Sequence, residues 1–156
     1  MNKALPLLGL SCALAVPTLA QARTVTLSTD MASYYGKEAY LAFYVTDASG
    51  EYQQTLWVAG TRSKYYRSLR DWYRATHGNY SEVRGITGAS VGSRRTMTVD
   101  VELADALINA GYQLHVDAAV EHSADSPSEV IIPLSDSNDG KAVSGTRYIK
   151  SVTVDF

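Results

Sequence analysis

Residues able to do chemistry concentrate between Lys64 and Ser90. Thr87-Gly88-Ala89-Ser90 offers a hydroxyl flanked by small side chains, and no other Ser or Thr follows a Gly-Ala pair. A modifying enzyme could reach the Ser90 oxygen over those small neighbours. Arg84, Arg94 and Arg95 flank the segment, and guanidinium groups make strong charge-assisted bonds to phosphate. The same four residues also make an ordinary turn, and both roles are open. Upstream, Tyr65, Tyr66, Leu69, Trp72 and Tyr73 fall at helical spacing between Arg62 and His77, with Arg67, Arg70 and Arg74 on the opposite side. Trp72, Tyr73 or Tyr66 could stack on an aromatic ligand or form the packing face of the helix. His115, Asp117 and Glu121, followed by His122, alternate along one segment and are of types that bind zinc, iron or copper. Alternation also places polar groups on the wet face of a half-buried strand, and no metal site is assigned.

Strands must position these groups. Ala39–Thr46 and Glu51–Val58 are rich in aromatic and β-branched residues and flank D-A-S-G, which predicts a hairpin. Alternation recurs at Arg23–Ser28, Thr96–Val101, Gln113–Glu121, Glu129–Leu134 and Tyr148–Phe156. Seven strands fit a small β-sandwich. Gly78 predicts the stop of the Arg62–His77 helix, and Thr61 or Ser63 its cap. A second short helix or turn is expected over Leu103–Ala110, closed by Gly111.

The first residues carry Lys3, an apolar run over Ala4–Val16 and a closing Ala20-Gln21-Ala22. This predicts a signal peptide over residues 1–22 and export of residues 23–156 as one domain. The apolar run is too short and too interrupted by Pro6, Ser11 and Pro17 for a membrane span, so the protein is not expected to span a membrane itself. Cys12, the one cysteine, lacks the usual leucine three residues upstream of a lipidated cysteine. The remaining 134 residues have no disulfide, so a packed core must hold them.

A net charge of −2 conceals an asymmetry. Eight Lys and Arg lie between Arg62 and Arg95 against Asp71 and Glu82, while ten carboxylates from Asp100 onward face Lys141, Arg147 and Lys150. The basic block could attract an anion or pair with the acidic third of its own fold. Export and the acidic overall balance argue against nucleic acid. The chain has no G-x-S-x-G, H-E-x-x-H or phosphate-cradling glycine loop, and no enzymatic activity is assigned.

Taken in order, Y-L-A-F-Y-V-T-D-A-S-G-E-Y, T-L-W-V-A-G, K-Y-Y-R-S-L-R-D-W-Y-R, T-G-A-S, Y-Q-L-H-V-D-A-A-V-E-H and R-Y-I-K-S-V-T-V-D-F resemble the periplasmic family named domain of unknown function 2271. The resemblance implies an all-β, immunoglobulin-like β-sandwich with a helical insertion. It also implies a soluble periplasmic accessory to electron transfer or iron acquisition, working beside a membrane protein of the PepSY type. The family's loop usually reads D-x-x-T-G-A-T, similar to the pattern on which a flavin transferase attaches flavin mononucleotide (FMN) through a phosphoester. The resemblance thus implies a flavin site at Ser90, with Thr87, Gly88, Ala89, Arg84 and Trp72 around it. Here Arg84 replaces the acid and Ser90 the acceptor threonine. A redox-inactive binding module that recognises an acidic protein or ligand is the other reading.

Overall fold

Alternating apolar residues build two sheets whose inner faces meet. The structure, a computed structural model, describes residues 21–156, so the expected leader lies almost wholly outside the described residues. The strands are β1 (Ala22–Met31), β2 (Tyr40–Thr46), β3 (Tyr52–Ala59), β4 (Thr87–Gly88), β5 (Thr96–Ala104), β6 (Gln113–Ala119), β7 (Ser126–Pro133), β8 (Val143–Ser144) and β9 (Ile149–Asp155). One sheet has the order β5-β1-β9-β8 and the other β4-β3-β2-β6-β7. All seven expected strands are present, and β4 and β8 add two-residue pieces that have no period to read. Only the β3–β4 pairing is parallel.

Val25, Leu27 and Met31 of β1, Leu41, Phe43 and Val45 of β2, Leu114 and Val116 of β6, and Val152 and Val154 of β9 fill the space between the sheets. The outer face of the first sheet is polar. Thr24 donates to Glu102 at 2.8 Å and Thr26 to Asp100 at 2.7 Å across β1 and β5.

A second apolar cluster lies on the outer face of the five-stranded sheet. Ala42, Tyr44, Val58 and Ala119 are covered there by Tyr66, Leu69, Trp72 and Val83. The segment expected as one helix is two pieces, a 3-10 turn over Ser63–Ser68 and helix α1 (Arg70–Ala75), joined at Leu69 with ψ 74°. Neither Thr61 nor Ser63 caps it, because Arg62 and Leu69 stand at the two N-caps and no cap bond comes from their side chains. The start of α1 is held from outside instead, by the Asp117 carboxylate of β6, which accepts the Trp72 N–H at 2.9 Å. A carboxylate there satisfies an orphan donor and faces the positive end of the helix. The Leu103–Ala110 expectation resolves into the end of β5 and a 3-10 turn over Asp105–Leu107. No helix among the described residues is long and apolar enough to cross a membrane.

Candidate functional site

Ser90 emerges at the end of β4. Val58 N–H donates to Ile86 and Gly60 N–H to Gly88, which lays Thr87-Gly88 along β3. Gly88 is required by contact, because a Cβ there would stand 2.5 Å from the Trp57 indole. One residue past Ser90, Val91 exchanges both backbone bonds with Ala39, at 2.7 and 2.9 Å. The Tyr34 hydroxyl braces that bridge, donating to Val91 C=O at 2.8 Å and accepting Ala39 N–H at 3.1 Å. The bridge sets Glu38 beside Ser90, whose hydroxyl donates to the Glu38 carboxylate at 2.7 Å.

Ser90 and Glu38 stand at the wall of a cleft of about 740 Å³ that also meets Lys37, Tyr40, Arg62, Tyr65, Glu121 and His122. The Tyr40 and Tyr65 rings lie 5.2 Å apart between centroids. Tyr65 is fixed by donating to Glu121 at 2.9 Å, and Lys64 lies over its ring at 4.7 Å. The cleft therefore joins an aromatic wall, two cations and one polarised hydroxyl. Cavities of this size take drug-sized ligands and cofactors.

The expected companions of Ser90 separate. Thr87 and Gly88 are committed to β4, and Ala89 shares the cleft. Arg84 is exposed, after a 3-10 turn over Ser81–Val83, and lines neither groove that meets Ser90. Arg94 is turned to Ser33, donating at 3.0 and 3.1 Å, and only Arg95 shares a groove with Ser90. Trp72 is completely buried and donates its indole N–H to Thr55 at 2.8 Å, so no ligand ring can lie against it. Tyr66 is likewise buried, donating to Gly60 C=O at 2.9 Å. The stripe's aromatic in the cleft is Tyr65. Glu38, Lys37 and Tyr40 escaped sequence reading because the contact that recruits Glu38 joins residues 52 positions apart.

The alternating polar set divides too. Glu121 and His122 reach the cleft, while His115 and Asp117 lie beneath α1. The wet-face expectation fails for Asp117, which is fully buried because the helical segment covers that face. Asp117 accepts Ser128 N–H at 2.7 Å, Tyr44 hydroxyl at 3.2 Å and Trp72 N–H. Burial still raises its carboxyl above the ordinary value, outweighing those bonds. Among the described residues no group of three or more His, Cys, Asp or Glu is placed to hold a metal.

Ser128, His115 and Asp71 form a contact set that superficially matches a nucleophile, base and acid. Ser128 Oγ donates to Asp71 at 2.8 Å and lies 3.1 Å from His115 Nδ1. With its proton on Asp71, Ser128 can only accept from His115, the reverse of an activated nucleophile. Thr46 holds the other ring nitrogen at 3.2 Å, and the ring stacks on Tyr44. The set therefore ties α1 to the sheet.

Burial pushes the His115 imidazole below its ordinary 6.5, against the opposing pull of Asp71. The unfolded chain then binds the proton more readily, so stability from neutral His115 is present above 6.5 and is lost as pH falls toward the depressed folded value. Chemical denaturation across that window should show stability falling on acidification, with His115→Gln flattening the slope. An unchanged slope in the variant would assign the loss to other groups.

A search of curated proteins and of solved structures finds no match to the chain. The family model described as "Predicted periplasmic protein (DUF2271)" matches residues 22–151. With that match over most of the chain, which includes both sheets and the Ser90 cleft, the protein belongs to the DUF2271 family of periplasmic proteins.

Proposed function

We propose that this periplasmic protein is an electron-transfer accessory that carries FMN on Ser90, attached by a flavin transferase. It would serve an iron-acquisition or redox system beside a PepSY-type membrane protein. The observation that carries this reading is the 2.7 Å bond from Ser90 to Glu38 at the wall of the cleft. The residues present fit the group. Ser90 supplies the oxygen of the phosphoester, Lys37 and Arg62 offset phosphate charge, and Tyr40 and Tyr65 offer the ring a wall. Glu38 stands in space where the acid of the family's loop is missing in sequence, since position 84 is Arg. A bound flavin would supply one- and two-electron chemistry. The chain's own part is to orient a hydroxyl, receive its proton at Glu38 and screen one side of the ring. The two facing antiparallel sheets support an immunoglobulin-like sandwich in which Arg62–His77 is an insertion. Cleavage after Ala22 would leave β1 paired from Arg23 opposite Leu103 onward.

Co-expression of the exported chain with a periplasmic flavin transferase should give a yellow protein heavier by one FMN less water. Ser90→Ala should abolish the adduct, Glu38→Ala should slow its formation at least about tenfold, and Arg84→Asp should raise its yield. No mass gain in the parent or in Arg84→Asp, beside a transferase active on another substrate, refutes the flavin reading.

A second reading has its own observation. Arg67, Arg70, Tyr73, Arg74 and His77 line an exposed groove of about 490 Å³ on the helical segment. Arg70 is tied to Asp125 at 2.8 Å and Arg74 to Asp71 at 3.2 Å, while Arg67 has no ion pair among the described residues. The groove supports a binding module for an acidic partner, and this reading stands if the flavin reading falls.

A further inference from the structure

The sheet edges of this molecule are unequally protected. β4 and β8 are two residues long, and β7 carries Pro127 and Pro133. Strand β5 runs nine residues without Pro, Lys or a register shift against β1, and no strand among the described residues pairs with its other side. Soluble proteins ordinarily blunt such an edge with one of those devices.

The direction of its backbone groups follows from the ladder. Met31 N–H donates to Arg95 C=O at one end of β5, and Asp105 N–H donates to Gln21 C=O at the other. Antiparallel bonding alternates residue by residue. The odd-numbered residues therefore bond to β1, while Thr96, Thr98, Asp100 and Glu102 send N–H and C=O outward. Beside this edge a groove of about 660 Å³ leaves Trp57, Met97 and Val99 half-buried.

We infer that β5 is a homodimer edge, on which a second copy of this chain pairs its own β5 antiparallel about a two-fold axis at Val99. Charge complementarity selects both the occupant and the register. With Val99 opposite Val99, Thr98 faces the second copy's Asp100 and Thr96 faces its Glu102. These are the pairings that β1 already makes, where Thr26 donates to Asp100 and Thr24 to Glu102. Arg94 and Arg95 at the start of one strand then approach Glu102 and Asp105 at the end of the other. Moving the axis one residue to Asp100 would set two carboxylates directly opposite each other. The pairing joins two four-stranded sheets and draws Met97 and Val99 of both copies together.

The test uses the exported protein, its leader loss checked by mass. Sedimentation equilibrium over a concentration series should show a dimer. Thr98→Pro removes an outward N–H and no bond to β1, a position where an edge tolerates proline, and should yield a monomer with an unchanged circular dichroism spectrum. Val99→Cys should cross-link to itself on mild oxidation, while Glu102→Cys, which faces Thr96, should not. A parent that stays monomeric at every concentration overturns the inference, as expected if the edge serves another protein's strand. So does a dimer that Thr98→Pro leaves intact and Val99→Cys fails to link.

Discussion

Glu129→Ala should cost about 3–5 kcal/mol of unfolding free energy, read from urea denaturation. Glu129 is 8% exposed, and its Oε1 accepts the backbone N–H groups of Thr146, Arg147, Tyr148 and Ile149 at 3.3, 2.8, 2.7 and 2.7 Å. This one oxygen fastens the turn before β9 to β7. The Thr146 and Arg147 side chains are exposed, so water can replace the carboxylate at that end of the turn. Tyr148 and Ile149 are buried, and each orphaned donor there costs about 1–3 kcal/mol, with bonds to a charged acceptor at the upper end. Gly145 belongs to the same device, since a Cβ there would crowd Ile149 C=O and Glu129 Oε1. Glu129→Gln keeps an acceptor and should cost less than half as much. Equal losses in the two variants would mean that volume, rather than the nest of N–H groups, sets the penalty.

Trp72→Ala should cost a similar amount, about 3–5 kcal/mol, for a different reason. The side chain is fully buried between α1 and the outer face of the five-stranded sheet, with its ring 5.3 Å from that of Tyr66. A six-residue helix has no stability of its own, and this anchor holds it to the sheet. Removing the indole opens a cavity and leaves Thr55 without its donor. Near-ultraviolet circular dichroism should change along with the urea midpoint, because Tyr66 and Tyr80 pack in the same cluster. Trp72→Phe should recover most of the loss. A Trp72→Ala protein within about 1 kcal/mol of the parent would show that the helical layer is held elsewhere.

The sequence by itself determined the strands, because a period of two is written locally. Leu41, Phe43 and Val45 declare one face wherever the partner strands lie. It also determined that Tyr66, Leu69 and Trp72 form a packing face, since 3.6-residue spacing is equally local. The hydroxyl of Ser90 was legible from its small neighbours. Tertiary structure alone decided what surrounds these elements. Asp117 reads as a wet-face residue until α1 lies across it, and that burial turns an alternating polar position into the anchor of a helix whose own N-cap, Leu69, has no oxygen to give. Glu38 reaches Ser90 only through the Ala39–Val91 bridge, and Glu129 meets the turn before β9 only once β7 lies against it. Arg84, adjacent in sequence, stays away from both grooves at Ser90. Local spacing fixes which side a residue faces, whereas the partner it meets depends on chain segments 15 to 75 residues away brought together by sheet pairing.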